Sequence, residues 1–140
     1  MADDLGTRLD RYTPLVLSLF RMVFGLLFCA HGAALLFDWP VVMEVPSGSW
    51  PYWWAGLIEF GAGLLIMTGL FTRAAAFVAS GEMAVAYFWE HQPRALWPID
   101  PAQGGPGGGE PSVLYAFAFL LLVFTGGGSL ALDRLRSRPQ

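Results

Sequence analysis

Four apolar stretches, Leu15–Phe37, Trp53–Phe71, Ala74–Trp89 and Val113–Leu132, are strung along only 140 residues. A bilayer hydrocarbon core of about 30 Å takes roughly 20 apolar residues per helix. The first, second and fourth stretches meet that length. The third needs Thr72 and Arg73 at its foot. The arginines between and beyond these stretches alternate in position, with a single exception. Arg8 and Arg11 precede the first stretch, Arg73 separates the second from the third, and Arg134, Arg136 and Arg138 follow the fourth. The connections 38–52 and 90–112 carry Asp38, Glu44, Glu90, Asp100 and Glu110 against Arg94 alone. Positive charge near span ends marks the cytoplasmic side. The pattern predicts an all-α integral membrane protein, a four-transmembrane-helix bundle with both termini cytoplasmic and two outer loops.

Hydrophobic residues make up 55% of the chain and charged residues 14%, too little polar material to coat a soluble fold of this size. The net charge of −3, with no basic patch, argues against nucleic acid as a partner. The partner that the composition demands is the lipid bilayer. Arg8 and Arg11 before an apolar run resemble a signal peptide, and Leu26-Leu27-Phe28-Cys29 looks superficially like a lipoprotein cleavage box. The run is longer than the roughly 7–15 residues of a signal core, and Phe28 stands where cleavage needs a small residue. The organisation expected is a cytoplasmic segment 1–14, a membrane domain 15–133 and a basic cytoplasmic tail 134–140.

Trp39, Trp50, Trp53, Trp54, Trp89 and Trp97 all fall at or between the outer span ends. Tryptophan favours the headgroup interface, but an ordinary belt is shared by both interfaces. The one-sided set reads either as an anchor belt or as an aromatic lid over a cavity. The turn Gly69-Leu70-Phe71-Thr72-Arg73 is short, with Gly69 suited to ending a helix and Thr72 to capping the next. The run Gly104-Gly105-Pro106-Gly107-Gly108-Gly109 reads as flexible linker, since no strand precedes it and no lysine follows it.

Arg21, His31, Glu59 and Glu82 lie inside the apolar stretches. Ionisable groups at such depth cost about 2.5–3.5 kcal/mol on insertion scales, so they face the bundle interior and take partners. At 1.5 Å per residue, Arg21 and Glu82 lie about 10 and 12 Å from the inner side, and His31 and Glu59 about 9 Å from the outer. These depths pair Arg21 with Glu82 and His31 with Glu59, with Arg21 bridging both glutamates as the variant. The four residues form either register-fixing ion pairs or a polar ligand site. Small residues at helical spacing (Gly25 and Gly32 with Arg21 and Phe28; Ala55 and Gly63 with Glu59; Ala75 and Ala79 with Glu82) allow close helix contact. With Cys29 as the lone cysteine, neither a disulfide nor a thiolate cluster forms within the chain, and no metal-ligand spacing is present.

Arg21-x3-Gly25-x2-Phe28-x2-His31-Gly32 resembles the opening signature of DoxX-type membrane proteins. Glu59-x3-Gly63, Gly69-Leu70-Phe71-Thr72-Arg73-Ala74-Ala75, Glu82-Met83-x2-Ala86 and Gly126-Gly127-Gly128-Ser129-Leu130-Ala131-Leu132-Asp133 follow in the family's order. The resemblance implies a four-helix protein of the bacterial inner membrane that serves as a membrane subunit of an oxidoreductase assembly rather than as a complete enzyme. It also implies a protein partner; it fixes no cofactor, and a quinone held among Arg21, His31, Glu59 and Glu82 is the candidate. Family members usually carry a lysine three residues after the His-Gly pair, where this chain has Leu35. An accessory subunit docking a larger complex, and a small-solute or proton-coupled carrier, are the alternatives.

Overall fold

The computed structural model describes residues 2–105 and 107–137, and among them the regular structure is helical throughout. Pro106 of the glycine-rich run and Arg138 of the basic tail lie outside the described residues. A short helix α1 (Ala2–Asp10) precedes four longer ones: α2 (Thr13–Phe37), α3 (Tyr52–Thr68), α4 (Thr72–Ala86) and α5 (Glu110–Thr125). A last turn, α6 (Asp133–Arg136), closes the described chain. Pro14 sits in the first turn of α2, where its missing N–H costs no hydrogen bond. Gly69 ends α3 in the left-handed conformation (φ 75°), with its N–H bonded to Leu65 and Ile66 carbonyls.

Three apolar stretches are trimmed relative to the sequence-based expectation. The fourth helix stops at Thr125 because Gly126 takes φ 77°, and residues 126–132 double back beneath the bundle. The second ends at Thr68, and the third leaves α-geometry at Ala86 to continue as a π-helical turn, Tyr87–His91. Thr72 is not the cap of α4. Phe71 holds that position at φ 50°, and the carboxylate of Asp133 accepts from the N–H groups of Phe71 (2.7 Å) and Thr72 (2.9 Å). Burial pushes the Asp133 carboxyl up, but these donors outweigh it and hold the group below the usual aspartate range.

The four long helices form two tight pairs. Along α2 and α3 the contact is backbone on backbone. A Cβ added at Gly25 would sit 2.5 Å from the Met67 nitrogen, and one at Gly63 would sit 2.5 Å from that of Cys29. The second pair, α4 with α5, packs through Ala75, Ala76 and Ala79, and Ser80 Oγ donates to the Ala116 carbonyl at 2.7 Å. Small residues make such approach possible. Between the pairs the joint is wide and filled by rings. Phe28 of α2 meets Phe119 (4.8 Å between centroids) and Tyr115 (5.5 Å) of α5. The outward faces are apolar: Val16, Val23 and Leu27 on α2, Phe77 and Val85 on α4, and Phe117 and Phe124 on α5 are all exposed.

The glycine-rich run is no loose linker. Gln103 is fully buried; its amide donates to the Ala95 carbonyl and accepts from Gly109 N–H, while its own carbonyl bonds His91 Nδ1 at 2.6 Å. Gly108 at φ 53° lets the backbone close against the Pro98 and Asp100 carbonyls.

Candidate functional site

The polar groups divide between the two ends of the bundle. At the outer end, His31 Nδ1 and Glu59 Oε2 lie 2.6 Å apart. The Glu59 side chain is 3% accessible and His31 52%, so the imidazole stands in front of a buried carboxyl. α3 contributes Glu59 one turn beyond Ala55, and α4 contributes Glu82 opposite. Glu82 interacts through space with both partners. Its Oε2 is buried with no hydrogen-bond partner among the described residues.

Arg21 takes no part in that group. Its guanidinium, 1% exposed, donates from Nε to the Gly127 carbonyl (2.8 Å) and from Nη1 to the carbonyls of Ile66 (2.7 Å) and Met67, with Leu130 at 3.4 Å. The expected Arg21–Glu82 pair is not formed, nor does Arg21 bridge the two glutamates. The last carbonyls of α3 carry the negative end of that helix, and they supply a counter-charge without a carboxylate. Ser18 Oγ lies beside them, bonded to the Pro14 carbonyl (2.9 Å) and accepting from Leu130 N–H (3.0 Å).

His31, Glu59 and Glu82 line a cavity of about 780 Å³. Its walls are mostly apolar: Leu35, Ile58, Val78 and Val85 among them. Three of the six tryptophans, Trp50, Trp54 and Trp89, stand on this wall. Trp39, Trp53 and Trp97 do not; Trp53 packs edge-on against Trp54 (5.2 Å), and Trp39 and Trp97 are exposed. Trp50 meets Trp89 at 6.1 Å, joining the first outer loop to the π-helical turn. Tyr52 donates to Glu90 at 2.8 Å, and Arg94 donates to the same oxygen at 3.3 Å. Glu90, Arg94 and Gly81 belong to the wall, although their local sequence gave no sign of it. Among the described residues, no group of three His, Cys, Asp or Glu side chains could hold a metal ion.

The family model for DoxX matches residues 16–92, which run from the first turn of α2 to the end of the π-helical turn. The chain belongs to the DoxX family. An uncharacterized protein of Haemophilus influenzae is 38% identical over 131 residues, which cover 89% of this chain and 93% of that protein. No solved structure matches. Arg21, His31, Glu59 and Glu82 all fall within the DoxX match, whereas α5 and the returning segment lie beyond it. DoxX proteins are membrane proteins. Here α2, with 25 residues and a mean hydropathy of 1.9 over its best window, is long and apolar enough to cross a bilayer. The helices α3, α4 and α5 are shorter, at 17, 15 and 16 residues.

Proposed function

We propose that this DoxX protein is a multi-pass subunit of an oxidoreductase assembly in the bacterial inner membrane, and that it binds a quinone-type molecule in the outer cavity. In this reading α2 to α5 all cross the bilayer, with segment 1–14 and tail 134–140 in the cytoplasm. The observation that carries it is the buried, unpartnered Glu82 oxygen facing an apolar cavity beside the His31–Glu59 pair. A quinone needs an apolar sleeve for its ring and groups that exchange hydrogen bonds with its two oxygens. A carboxyl and an imidazole can each donate or accept as they change protonation, which suits a head that itself alternates between carbonyl and hydroxyl. Arg21 is excluded from this site by its position, and the ligand set reduces to His31, Glu59 and Glu82.

Trp50, Trp54 and Trp89 make the site visible by fluorescence. Titrating the purified protein with decylubiquinone should quench tryptophan emission. Glu59→Gln and Glu82→Gln should each weaken binding about tenfold, the loss of one charge-assisted hydrogen bond of about 1.5 kcal/mol. Unchanged affinity in both variants would sink the quinone site.

A second reading has its own observation. Leu96, Trp97 and Ile99 are 72%, 68% and 65% exposed on the second outer loop, a patch fit for docking a larger protein. In that reading the chain is an accessory subunit, and the loop carries the interaction.

A further inference from the structure

The cavity's lining is exposed at the outer loops and also along α3 and α4. Its α2–α3 side is sealed by glycine backbone contact, and α4–α5 is sealed by alanines. Ile58 on α3 and Val78 and Val85 on α4 are each both cavity-lining and exposed. Val78, Gly81, Glu82 and Val85 recur at steps of three, one and three, so one face of α4 presents both the carboxyl and the apolar rim. Gly81 leaves the middle of that rim bare; a Cβ there would have no atom within 4 Å. The rim from Val78 to Val85 is about 10 Å long at 1.5 Å per residue. It lies on the same apolar outer surface as Phe77 and Phe88.

We infer that the cavity opens sideways between α3 and α4 into the hydrocarbon, and that its ligand is an amphiphile with an uncharged hydroxyl- or carbonyl-bearing head. The inference rests on the ligand site proposed above and adds its access route and the shape of its occupant. The head reaches Glu82 and the His31–Glu59 pair, while the chain leaves along Ile58, Val78 and Val85. Charge complementarity excludes an anionic phospholipid, because its phosphate would meet two carboxyl groups and a second burden of buried charge. Gly81 is the threshold: any larger side chain fills the gap through which the chain passes.

The test uses the full chain in phosphatidylcholine nanodiscs and a long-chain alcohol bearing a diazirine in its tail. After illumination, adducts mapped by mass spectrometry should concentrate on Ile58, Val78 and Val85. Gly81→Leu should reduce them at least tenfold. Gly61→Leu is the matched control, since a Cβ at Gly61 also meets no atom within 4 Å and that residue is no part of the cavity wall; labelling should persist there. Phosphatidylglycerol with the same diazirine should label these positions no more than other lipid-facing residues, and Gly81→Leu should leave that labelling unchanged. Adducts spread evenly over α2, α4 and α5, or unchanged in Gly81→Leu, would overturn the lateral opening. Excess decylubiquinone supplies the separate control on the ligand. Labelling that it displaces supports both readings; labelling that it leaves untouched keeps the opening and removes the quinone.

Discussion

Arg21 shows how a buried charge can be satisfied by main chain alone. Its partners are the Ile66, Met67 and Gly127 carbonyls, and three of its nitrogens are engaged once the Leu130 contact is counted. Counting depth along each helix correctly places His31 beside Glu59, because both partners are side chains with charges that announce themselves. The same count sends Arg21 to Glu82, since carbonyls have no residue type to read. The trace left in the sequence is the run Gly126-Gly127-Gly128, where the lack of side chains exposes carbonyl oxygens to the guanidinium. Arg21→Ala strands these acceptors in the interior and should cost about 3 kcal/mol or more, at about 1–3 kcal/mol for each orphaned group. Arg21→Lys keeps the charge but loses the planar fork, and should cost roughly half as much. Thermal melting in detergent, followed by circular dichroism, should rank wild type above Lys above Ala. Quinone affinity should stay at the wild-type value in Arg21→Lys, because the residue is remote from the cavity. Equal melting of Ala and wild type would mean that the carbonyl cage contributes nothing.

At the level of elements, long apolar runs located every major helix, and small residues at helical spacing identified the faces that touch. Helix ends were less legible. Thr72 looks like a cap by residue type, yet the carboxylate of Asp133, 61 residues further along, accepts from its N–H instead. Likewise, the glycines that read as linker at 104–109 serve as tight turns around one buried side chain. Nothing local marks Gln103 as an anchor; its role exists only once Ala95 and Gly109 have been brought to either side. Gln103→Ala should therefore loosen the second outer loop without disturbing the bundle. Amide hydrogen exchange across 95–109 should quicken about tenfold, equivalent to about 1.4 kcal/mol of local opening, while α2 to α5 exchange as before. Unaltered exchange in that loop would show that the glycine turns hold it unaided.

For the whole molecule, family and membrane character were legible from the ordered motifs and the hydropathy, whereas the number of crossings depends on the fit between helix and bilayer. The 15 to 17 residues of α3, α4 and α5 give about 23–26 Å of rise, a few ångströms short of a 30 Å core. Such a mismatch is met by local thinning and by anchors at both ends, at fractions of a kcal/mol per ångström. The anchors are in place: Arg73, Arg134 and Arg136 near one end, and Trp50, Trp54 and Trp89 near the other. A four-pass chain puts Ser47 and Ser137 on opposite sides of the membrane. Cys29 is the native thiol and is buried, so a Cys29→Ala background permits single reporters at the two exposed serines. In intact spheroplasts a membrane-impermeant maleimide should label Ser47→Cys directly and Ser137→Cys only after lysis. The reverse pattern would turn the protein over and place the cavity's roof in the cytoplasm. Labelling of both before lysis would require an even number of crossings after residue 47, leaving one of the short helices on the surface. The lateral opening between α3 and α4 depends on that arithmetic, because only two adjacent spanning helices can frame a gap that faces hydrocarbon.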